Sequence, residues 1–231
     1  MNLRDVIPGL VSIVLPVKDG EQHLAAALES VRAQTYEAFE IVVVDDGSTD
    51  RSAEVARSFT GVRVVSQPNA GVPVARNRGV SESRGEFVAF LDHDDEWTPQ
   101  KLEVQVARLV YKPELGYVVA RLEFVLEPGM QRPSWLRPEL LVGPQPGRVP
   151  SNLLVRRAAL DAVGPFRPEL RHGDDVDWFT RAVDAGVQGE MVPEVLLRHR
   201  VRKGNLTANV EKSRADMFRA LRASIVRKRG E

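Results

Sequence analysis

Four short runs rich in Val and Ile, separated by polar segments, dominate the first part of this chain. The runs are VSIVLPV, EIVVVDD, VRVVSQ and EFVAFLD, which begin near residues 11, 40, 62 and 86. Continuous β-branched runs are typical of strands that a parallel sheet buries on both faces. We therefore expect these runs to be parallel strands of one sheet.

The segments between these runs carry helix signals. Residues 21–33 place Leu24 and Leu28 at helical spacing. STDRSAEVARSF offers Ser48 or Thr49 as an N-cap, and VPVARNRGVSES has a weaker helical pattern. Strands that alternate with helices predict a doubly wound α/β fold with a mostly parallel central sheet.

The pattern changes after Trp97. TPQKLEVQVARLV predicts a helix with Thr98 as N-cap and Pro99 at its first position, and GYVVARLEFVL predicts a strand. Residues 127–150 hold six prolines and three glycines, which indicate a long loop. Beyond that loop we expect a strand at SNLLV, followed by helices near residues 156–162, near 175–185 and from Thr207 onward.

Composition narrows the compartment and the partners. The chain has 32 basic and 32 acidic side chains, so its net charge gives no argument for a nucleic-acid partner. It has no cysteine, which excludes a disulfide framework and a thiolate zinc site and fits a reducing compartment. The start lacks a small-residue cleavage site, and no apolar run approaches the roughly 20 residues of a membrane span. The sequence therefore favours a cytoplasmic protein.

Acidic side chains follow the second and fourth apolar runs. Asp45 and Asp46 end VVVDD, whereas Asp92, Asp94 and Asp95 end AFLDHDD. Ligands of open α/β sheets bind at the carboxyl ends of strands, near the point where the strand order reverses. Acids this close repel one another unless a cation compensates, and their oxygens suit a hard divalent ion. One such end is an ordinary turn, but two on one sheet edge predict a ligand and a metal ion.

An ordered set of motifs makes this interpretation more specific. From about residue 11 to about residue 207 the chain contains, in order, IVLPVKDGEQHLAAALESVRAQTY, EIVVVDDGSTDRS, NAGVPVARNRGV, GEFVAFLDHDDEWTPQKL, VGPFRPEL and GDDVDWFTRA. This set resembles the family 2 inverting glycosyltransferases of GT-A fold. The resemblance implies a single domain, with a nucleotide-sugar-binding half at about 8–110, an acceptor-binding half at about 111–206 and a basic C-terminal helix at about 207–231.

The resemblance also implies a reaction and a cofactor. A sugar would pass from a nucleotide diphosphate sugar, with UDP as the expected nucleotide, to an acceptor with inversion at the anomeric carbon. A Mn2+ or Mg2+ ion would neutralise charge on the departing diphosphate, which explains the clustered acids. The acceptor stays open among a small molecule, a peptide, a glycan and a lipid carrier.

By the same resemblance, the first half binds the donor and the metal. Asp94 would bind the metal, and Asp92 would lie near the ribose or the waters of the metal. Asp95 is expected to cap the turn into the next helix, and His93 either ligates the metal or points away. The rest of the donor pocket would comprise Asp45 or Asp46 against the base, with Arg76 at the phosphates and Pro16, Val17 and Asp19 in the lining.

The general base is expected in RHGDDVDWFTRA. The family carries Glu-Asp there and uses the Asp as the base, so Asp175 is the candidate and Asp174 replaces the Glu. Repulsion between these two acids favours a raised pKa for one of them, and Asp174 is also a candidate N-cap. Asp177 is expected on the helix surface. The acceptor candidates are His172, Trp135 and Trp178, of which Trp178 is the one expected instead in the core.

The third metal ligand stays open because the chain departs from the family. Family members often carry a His shortly before an Asn-Leu-Ser/Thr tail, whereas this chain has Arg202 there and His199 three residues earlier. Either His199 ligates the metal, or water does, or Arg202 supplies the positive charge directly.

Two further alternatives belong with this interpretation. One is a catalytically inactive scaffold that binds a nucleotide sugar or a carbohydrate. A pyrophosphorylase or a dehydrogenase is disfavoured, because LPVKDGEQ replaces the Gly-rich loop after the first strand.

The other concerns the C-terminal tail, where residues 211–231 hold seven basic and three acidic side chains. Its apolar residues are expected to pack on the domain or on a second copy in a homodimer, with contact to the inner face of the membrane as the alternative.

Overall fold

The computed structural model describes residues 6–170, 173–203 and 210–229. His172, one of the acceptor candidates, and Thr207, the expected start of the last helix, lie outside these ranges.

One mixed sheet of nine strands forms the centre of the described chain. The strands are β1 Ile7–Val17, β2 Phe39–Asp45, β3 Val62–Ser66, β4 Gly85–Phe90, β5 Glu96–Trp97, β6 Leu115–Leu126, β7 Gln145–Pro146, β8 Leu154–Arg156 and β9 Gln188–Val201. Their order is β3-β2-β1-β4-β8-β6-β9-β5, and β7 pairs with β6.

The first four strands are parallel, which confirms the prediction from the Val and Ile runs. β1 pairs with β2 on one side and with β4 on the other, and β3 continues the sheet beyond β2. The chain thus winds outward from β1 to β3 and then returns to the opposite side of β1. This reversal places the carboxyl ends of β1, β2 and β4 side by side, at the point where open α/β sheets bind ligands.

The second half of the chain extends the same sheet. β8 is antiparallel to β4 and to β6, and β6 runs parallel to β9 over ten paired positions from Leu115 to Leu126. The carboxyl end of β9 and the segment after β4 are joined by the short β5, whose Glu96 pairs with Arg198. This pairing brings the end of β9 to the acidic end of β4.

The described ranges contain seven helices. They are α1 Leu24–Arg32, α2 Ser52–Ser58, α3 Val72–Glu82, α4 Lys101–Tyr111, α5 Arg157–Val163, α6 Asp174–Asp184 and α7 Val210–Arg229. Six of them lie on the two faces of the sheet, and α7 packs on α6. Alternate residues of β1 face opposite cores, as strand geometry requires. Ile13 packs with α1 and α4, whereas Val14 packs with α5 and α6. The fold is therefore doubly wound, as the alternation of strands and helices predicts.

Two predicted helix starts are wrong by a few residues. α2 begins at Ser52 rather than after Ser48 or Thr49, because Asp50 accepts the Ser52 amide at 2.9 Å while the Ser48 hydroxyl accepts the Asp19 amide at 3.0 Å. α4 begins at Lys101, and Thr98 instead closes a turn in which its carbonyl accepts the Lys101 amide. The distant contact of Ser48 with Asp19 and the local turn at Thr98 therefore each delay the start of a helix.

The sequence patterns also missed β9, a strand of 14 residues. It carries Pro193 and a charged end at Arg198 and Arg200, which break the apolar pattern of a buried strand. Pairing with β6, more than 70 residues away along the chain, stabilises it.

Candidate functional site

The acids at the end of β2 are bonded to the main chain. Asp46 accepts three hydrogen bonds of 2.8 Å, from the Gln67 side chain and from the amides of Ala70 and Gly71. Its two oxygens therefore fix the loop that leads into α3. Asp45 accepts the Ser48 amide at 3.0 Å and so closes the turn after β2. Of these two acids, Asp45 is the one that keeps an oxygen without a hydrogen bond among the described residues.

The end of β1 completes this side of the site. Val17 is buried in the main core, so its side chain does not line a pocket, and the adjacent Pro16 is buried as well. Asp19 is exposed and adopts a φ of 49°, and its carboxylate accepts the Thr49 amide at 2.7 Å. The Lys18 side chain donates to the same carboxylate, and together these contacts lower the pKa of Asp19 to about 2.

Arg76 bridges two acids from different parts of the chain. From α3 it donates one hydrogen bond of 2.7 Å to Asp92, after β4, and one of 2.5 Å to Asp174, the first residue of α6. Only 4% of Arg76 is exposed, and its guanidinium faces these two carboxylates. Its predicted contact with the phosphates stays a prediction. Burial raises the pKa of Asp92, but the charge of Arg76 outweighs that effect and lowers it.

The side chain of Arg76 is itself held in place by the turn between α5 and α6. Its guanidinium lies 5.6 Å from the centre of the Phe166 ring. Asn77 exchanges two hydrogen bonds with the main chain of Phe166, of 2.7 and 2.9 Å. Neither contact was predicted from the sequence, although Asn77 lies in the motif VARNRG and Phe166 in VGPF.

Asp94 is paired with Arg202, from the segment that follows β9. Arg202 Nε donates to Asp94 at 2.7 Å, and a second nitrogen of its guanidinium lies 3.2 Å from His93 Nε2. His93 therefore points towards Arg202. The prediction that Arg202 supplies positive charge beside the acids agrees with this geometry.

The buried Asp95 forms a pair with the partly buried His199. His199 Nδ1 lies 3.0 Å from Asp95, and Asp95 also accepts the Arg200 amide at 3.0 Å. Burial alone would lower the pKa of His199, but the Asp95 carboxylate outweighs burial and raises that pKa to about 9. One ring nitrogen of His199 is thus occupied by Asp95, and the role of His199 as a metal ligand stays a prediction. The expectation that Asp95 caps a helix is wrong, since it anchors β9.

Two acids open α6 on the other side of Arg76. Gly173 is the N-cap residue, so Asp174 does not cap the helix as expected but bonds to Arg76 within its first turn. Burial raises the pKa of Asp174 to about 6, against the opposing charge of Arg76. Asp175 is half-buried, accepts the Val176 amide at 2.7 Å, and forms no salt bridge within the described residues. Burial raises its pKa too.

The next residues of α6 are structural. Asp177 is fully buried and bonds to Arg181 at 2.7 Å, so its predicted place on the helix surface is wrong. The Asp and Arg stand four residues apart, a spacing that signals such a pair in a helix. Trp178 is also fully buried, against Tyr117 and Phe179, which excludes it as an acceptor platform and leaves the core role.

Trp135 lies half-buried in the Pro-rich segment, where residues 138–141 and 150–152 form short 3-10 turns. The end of this segment touches the site, because the Ser151 hydroxyl accepts the Asp92 amide at 3.1 Å. Ser151 has no signal in the sequence that marks this contact.

The acids after β4 have the donor chemistry of a divalent-cation site. Asp92 and Asp94 each bond one carboxylate oxygen to an arginine, and within the described residues the other oxygen of each makes no hydrogen bond. Nowhere in the described part of the chain do three or more His, Cys, Asp or Glu side chains stand together to hold a metal. The two acids thus offer two carboxylate oxygens of the kind that a hard divalent cation prefers.

Comparisons of the sequence with known proteins are consistent with this site. Residues 12–164 match the family model described as Glycosyl transferase family 2. Glycosyltransferase AglE of Haloferax volcanii is 31% identical over 205 residues, which cover 83% of this chain and 67% of AglE. The uncharacterized glycosyltransferase YibD of Escherichia coli is 40% identical over 97 residues, which cover 40% of this chain and 28% of YibD. The chain thus matches about two thirds of AglE and less than a third of YibD.

Solved structures share the arrangement of strands and helices. S. aureus TarS in complex with UDP-GlcNAc superposes with a TM-score of 0.76 at 22% identity, over 94% of this chain and 66% of that structure. The mannosyltransferase PcManGT from Pyrobaculum calidifontis, in complex with GDP-Man and Mn2+, gives 0.71 at 20% identity, over 93% and 64%. These likenesses show that the chain has the GT-A fold.

Proposed function

This chain belongs to glycosyl transferase family 2, and on that premise we propose that it is an inverting glycosyltransferase. It moves a sugar from a nucleotide diphosphate sugar, with UDP as the proposed nucleotide, to the hydroxyl of an acceptor.

The observation that carries this proposal is the bridge made by Arg76. A single guanidinium touches Asp92, at the acidic strand end, and Asp174, next to the candidate base. A donor bound at the strand end and an acceptor at α6 therefore meet at one guanidinium. This closeness is what a direct displacement requires, since the reacting groups must be held within contact distance.

Asp175 is the proposed general base. It takes the proton of the acceptor hydroxyl while that oxygen attacks the anomeric carbon from the face opposite the diphosphate. Its raised pKa makes it a stronger base than an exposed carboxylate, and among the described residues it has no salt bridge like the one that occupies Asp174. Asp174 holds Arg76 and keeps the first turn of α6 against the strand ends.

Asp92 and Asp94 would hold the divalent cation, Mn2+ or Mg2+. When bound, the cation supplies positive charge to the leaving diphosphate. Arg202 lies on Asp94 and offers a second positive charge at the same place. Among the structural neighbours, PcManGT is bound to Mn2+ and GDP-Man, and TarS to UDP-GlcNAc. These complexes support a nucleotide diphosphate sugar as the donor. The nucleobase of that donor is the part to be tested.

The test is calorimetric titration of the purified protein with UDP, GDP and dTDP, each with Mn2+ and with EDTA. The proposal expects one nucleotide to bind tightly with Mn2+ and much more weakly with EDTA. The same nucleotide should protect the protein against thermal unfolding. Nucleotide binding without transfer of sugar to any acceptor would support the inactive scaffold, and the absence of all nucleotide binding would refute the proposal.

A further inference from the structure

Helix α7 packs on α6 through one narrow face. Ala220 and Ser224 are buried against the domain, and the Ser224 hydroxyl donates to Asp184 at 2.9 Å. Arg227 contacts the same Asp184 carboxylate at 2.8 Å. These contacts join the helix to α6 and fix which of its faces points outward.

The outward face carries apolar side chains. Phe218 is 65% exposed, Leu221 43% and Ile225 53%. These three residues are three and four positions apart, so they form one row along the helix. Met217 and Val226 are exposed as well, on either side of this row. No described part of the chain covers it.

Two exposed basic side chains, Arg222 and Arg219, lie beside this apolar row, and Arg219 also pairs with Asp216 at 3.7 Å. The sequence of residues 211–231 has a net excess of four positive charges, seven basic against three acidic. Two copies of α7 meeting face to face would bring these like charges together, which is unfavourable. An apolar row within a basic surface instead matches a surface that is negatively charged outside and apolar beneath.

We propose that the outer face of α7 docks on a membrane surface rich in anionic lipid. Phe218, Leu221 and Ile225 enter the boundary between headgroups and acyl chains, and the arginines contact the lipid phosphates. No helix of the described residues is both long and apolar enough to cross a bilayer, so the contact is a peripheral one.

The position of α7 connects this surface to the site, an argument that rests on the proposed glycosyltransferase function. A Cβ placed on Gly173, the residue before Asp174, would lie 3.0 Å from the Cβ of Asp216 on α7. One helix diameter, about 10 Å, thus separates the start of α6 from the outer face of α7. The docked helix would therefore hold the candidate base close to the membrane.

The experiment is co-sedimentation of the whole protein with vesicles of phosphatidylcholine alone and of phosphatidylcholine with an equal part of phosphatidylglycerol. The double variants Phe218→Ser/Ile225→Ser and Arg219→Gln/Arg222→Gln test the apolar row and the charges. Val110→Ser/Val142→Ser and Arg57→Gln/Arg84→Gln are matched controls, because all four positions are exposed at a distance from α7 along the chain. Thermal unfolding checks that every variant is folded.

The proposal expects binding to the anionic vesicles, weaker binding at high salt, and roughly a tenfold or larger loss of affinity in both α7 variants but not in the controls. Failure to bind anionic vesicles, or equal binding by the α7 variants, would overturn it. So would a dimer in light scattering that Phe218→Ser/Ile225→Ser dissociates, since the face would then be a self-interface. Nucleotide titration of the same variants keeps the outcome separate from the proposed function: loss of vesicle binding with intact nucleotide binding concerns α7 alone.

Discussion

The acidic ends of β2 and β4 look alike in sequence but are neutralised in different ways. Asp46, after β2, accepts main-chain amides and one side-chain amide, which form part of the loop itself. Asp92 and Asp94, after β4, are paired with Arg76 and Arg202. An amide in a folded loop cannot leave, whereas a side-chain cation can move when a ligand arrives. The β2 end is therefore architecture, and the β4 end is the part that can exchange partners.

The largest expected effect is on the rate of sugar transfer, which we assign to the part of the site where arginines pair with the acids. Asp175→Asn removes the proposed base and should lower the rate of sugar transfer by about a thousandfold. Nucleotide affinity should change little, because Asp175 lies on α6 and not at the strand ends. Steady-state transfer and nucleotide titration on the same preparation measure the two quantities. Equal loss of nucleotide affinity would contradict the separate roles.

For the stability of the fold, the acid after β2 should matter more than the acid after β4. Asp46→Asn leaves at least one of its donors without an acceptor and should lower the free energy of unfolding by about 2 to 3 kcal/mol. Asp94→Asn keeps an oxygen for the partly exposed Arg202 and should cost less than about 1 kcal/mol. Urea denaturation of both variants, read against the unchanged protein, makes the comparison. A larger loss in Asp94→Asn would reverse the assignment of architecture to β2.

The pair of His199 and Asp95 makes the β4 end sensitive to pH. The pKa of His199 is raised from an ordinary value near 6.5 to about 9. The folded state therefore holds a proton that the unfolded chain loses, so this stabilisation is complete below pH 6.5 and disappears as the pH rises through 9. We expect a loss on the order of 2 kcal/mol across that window, measured by denaturation in EDTA. In His199→Gln the slope should be absent.

The smallest expected effect is on metal affinity. Arg202→His removes a cation from Asp94 and should raise the affinity for Mn2+, measured in the presence of nucleotide, a few-fold. Arg198→Gln is the matched control, because Arg198 is an exposed cation in β9 with no ion pair among the described residues. Titration of Mn2+ at fixed nucleotide is the measurement. Weaker Mn2+ binding in Arg202→His would show that Arg202 supports the cation rather than competes with it.

Patterns within short stretches of sequence were enough to predict the parallel strands and the acidic strand ends. A Val and Ile run needs no information from elsewhere in the chain to favour a buried strand. β9 was not predicted, because its polar end is stable only beside β6, which lies far away in the sequence.

The same limit applies to the candidate site. The position of Asp92 and Asp94 follows from the end of β4, but the partner of Asp94 does not, because Arg202 is 108 residues away. The bond from Arg76 to Asp174 likewise spans 98 residues. Asp177 was predicted on the surface although its Arg181 partner is one turn away. That pair was open to prediction, because an Asp and an Arg at this spacing can be read from the sequence alone.

The bridge made by Arg76 has a thermodynamic consequence. A ligand that draws Asp92 away from Arg76 lets the guanidinium interact more strongly with Asp174. The pKa of Asp174 then falls below its value of about 6 in the free protein. Donor binding near that pH should therefore release a proton to the buffer. By linkage, deprotonation must strengthen donor binding by the same factor. Calorimetry in buffers of different ionisation enthalpy would record this release as heat, as a sign that the two halves of the site are coupled before any acceptor is present.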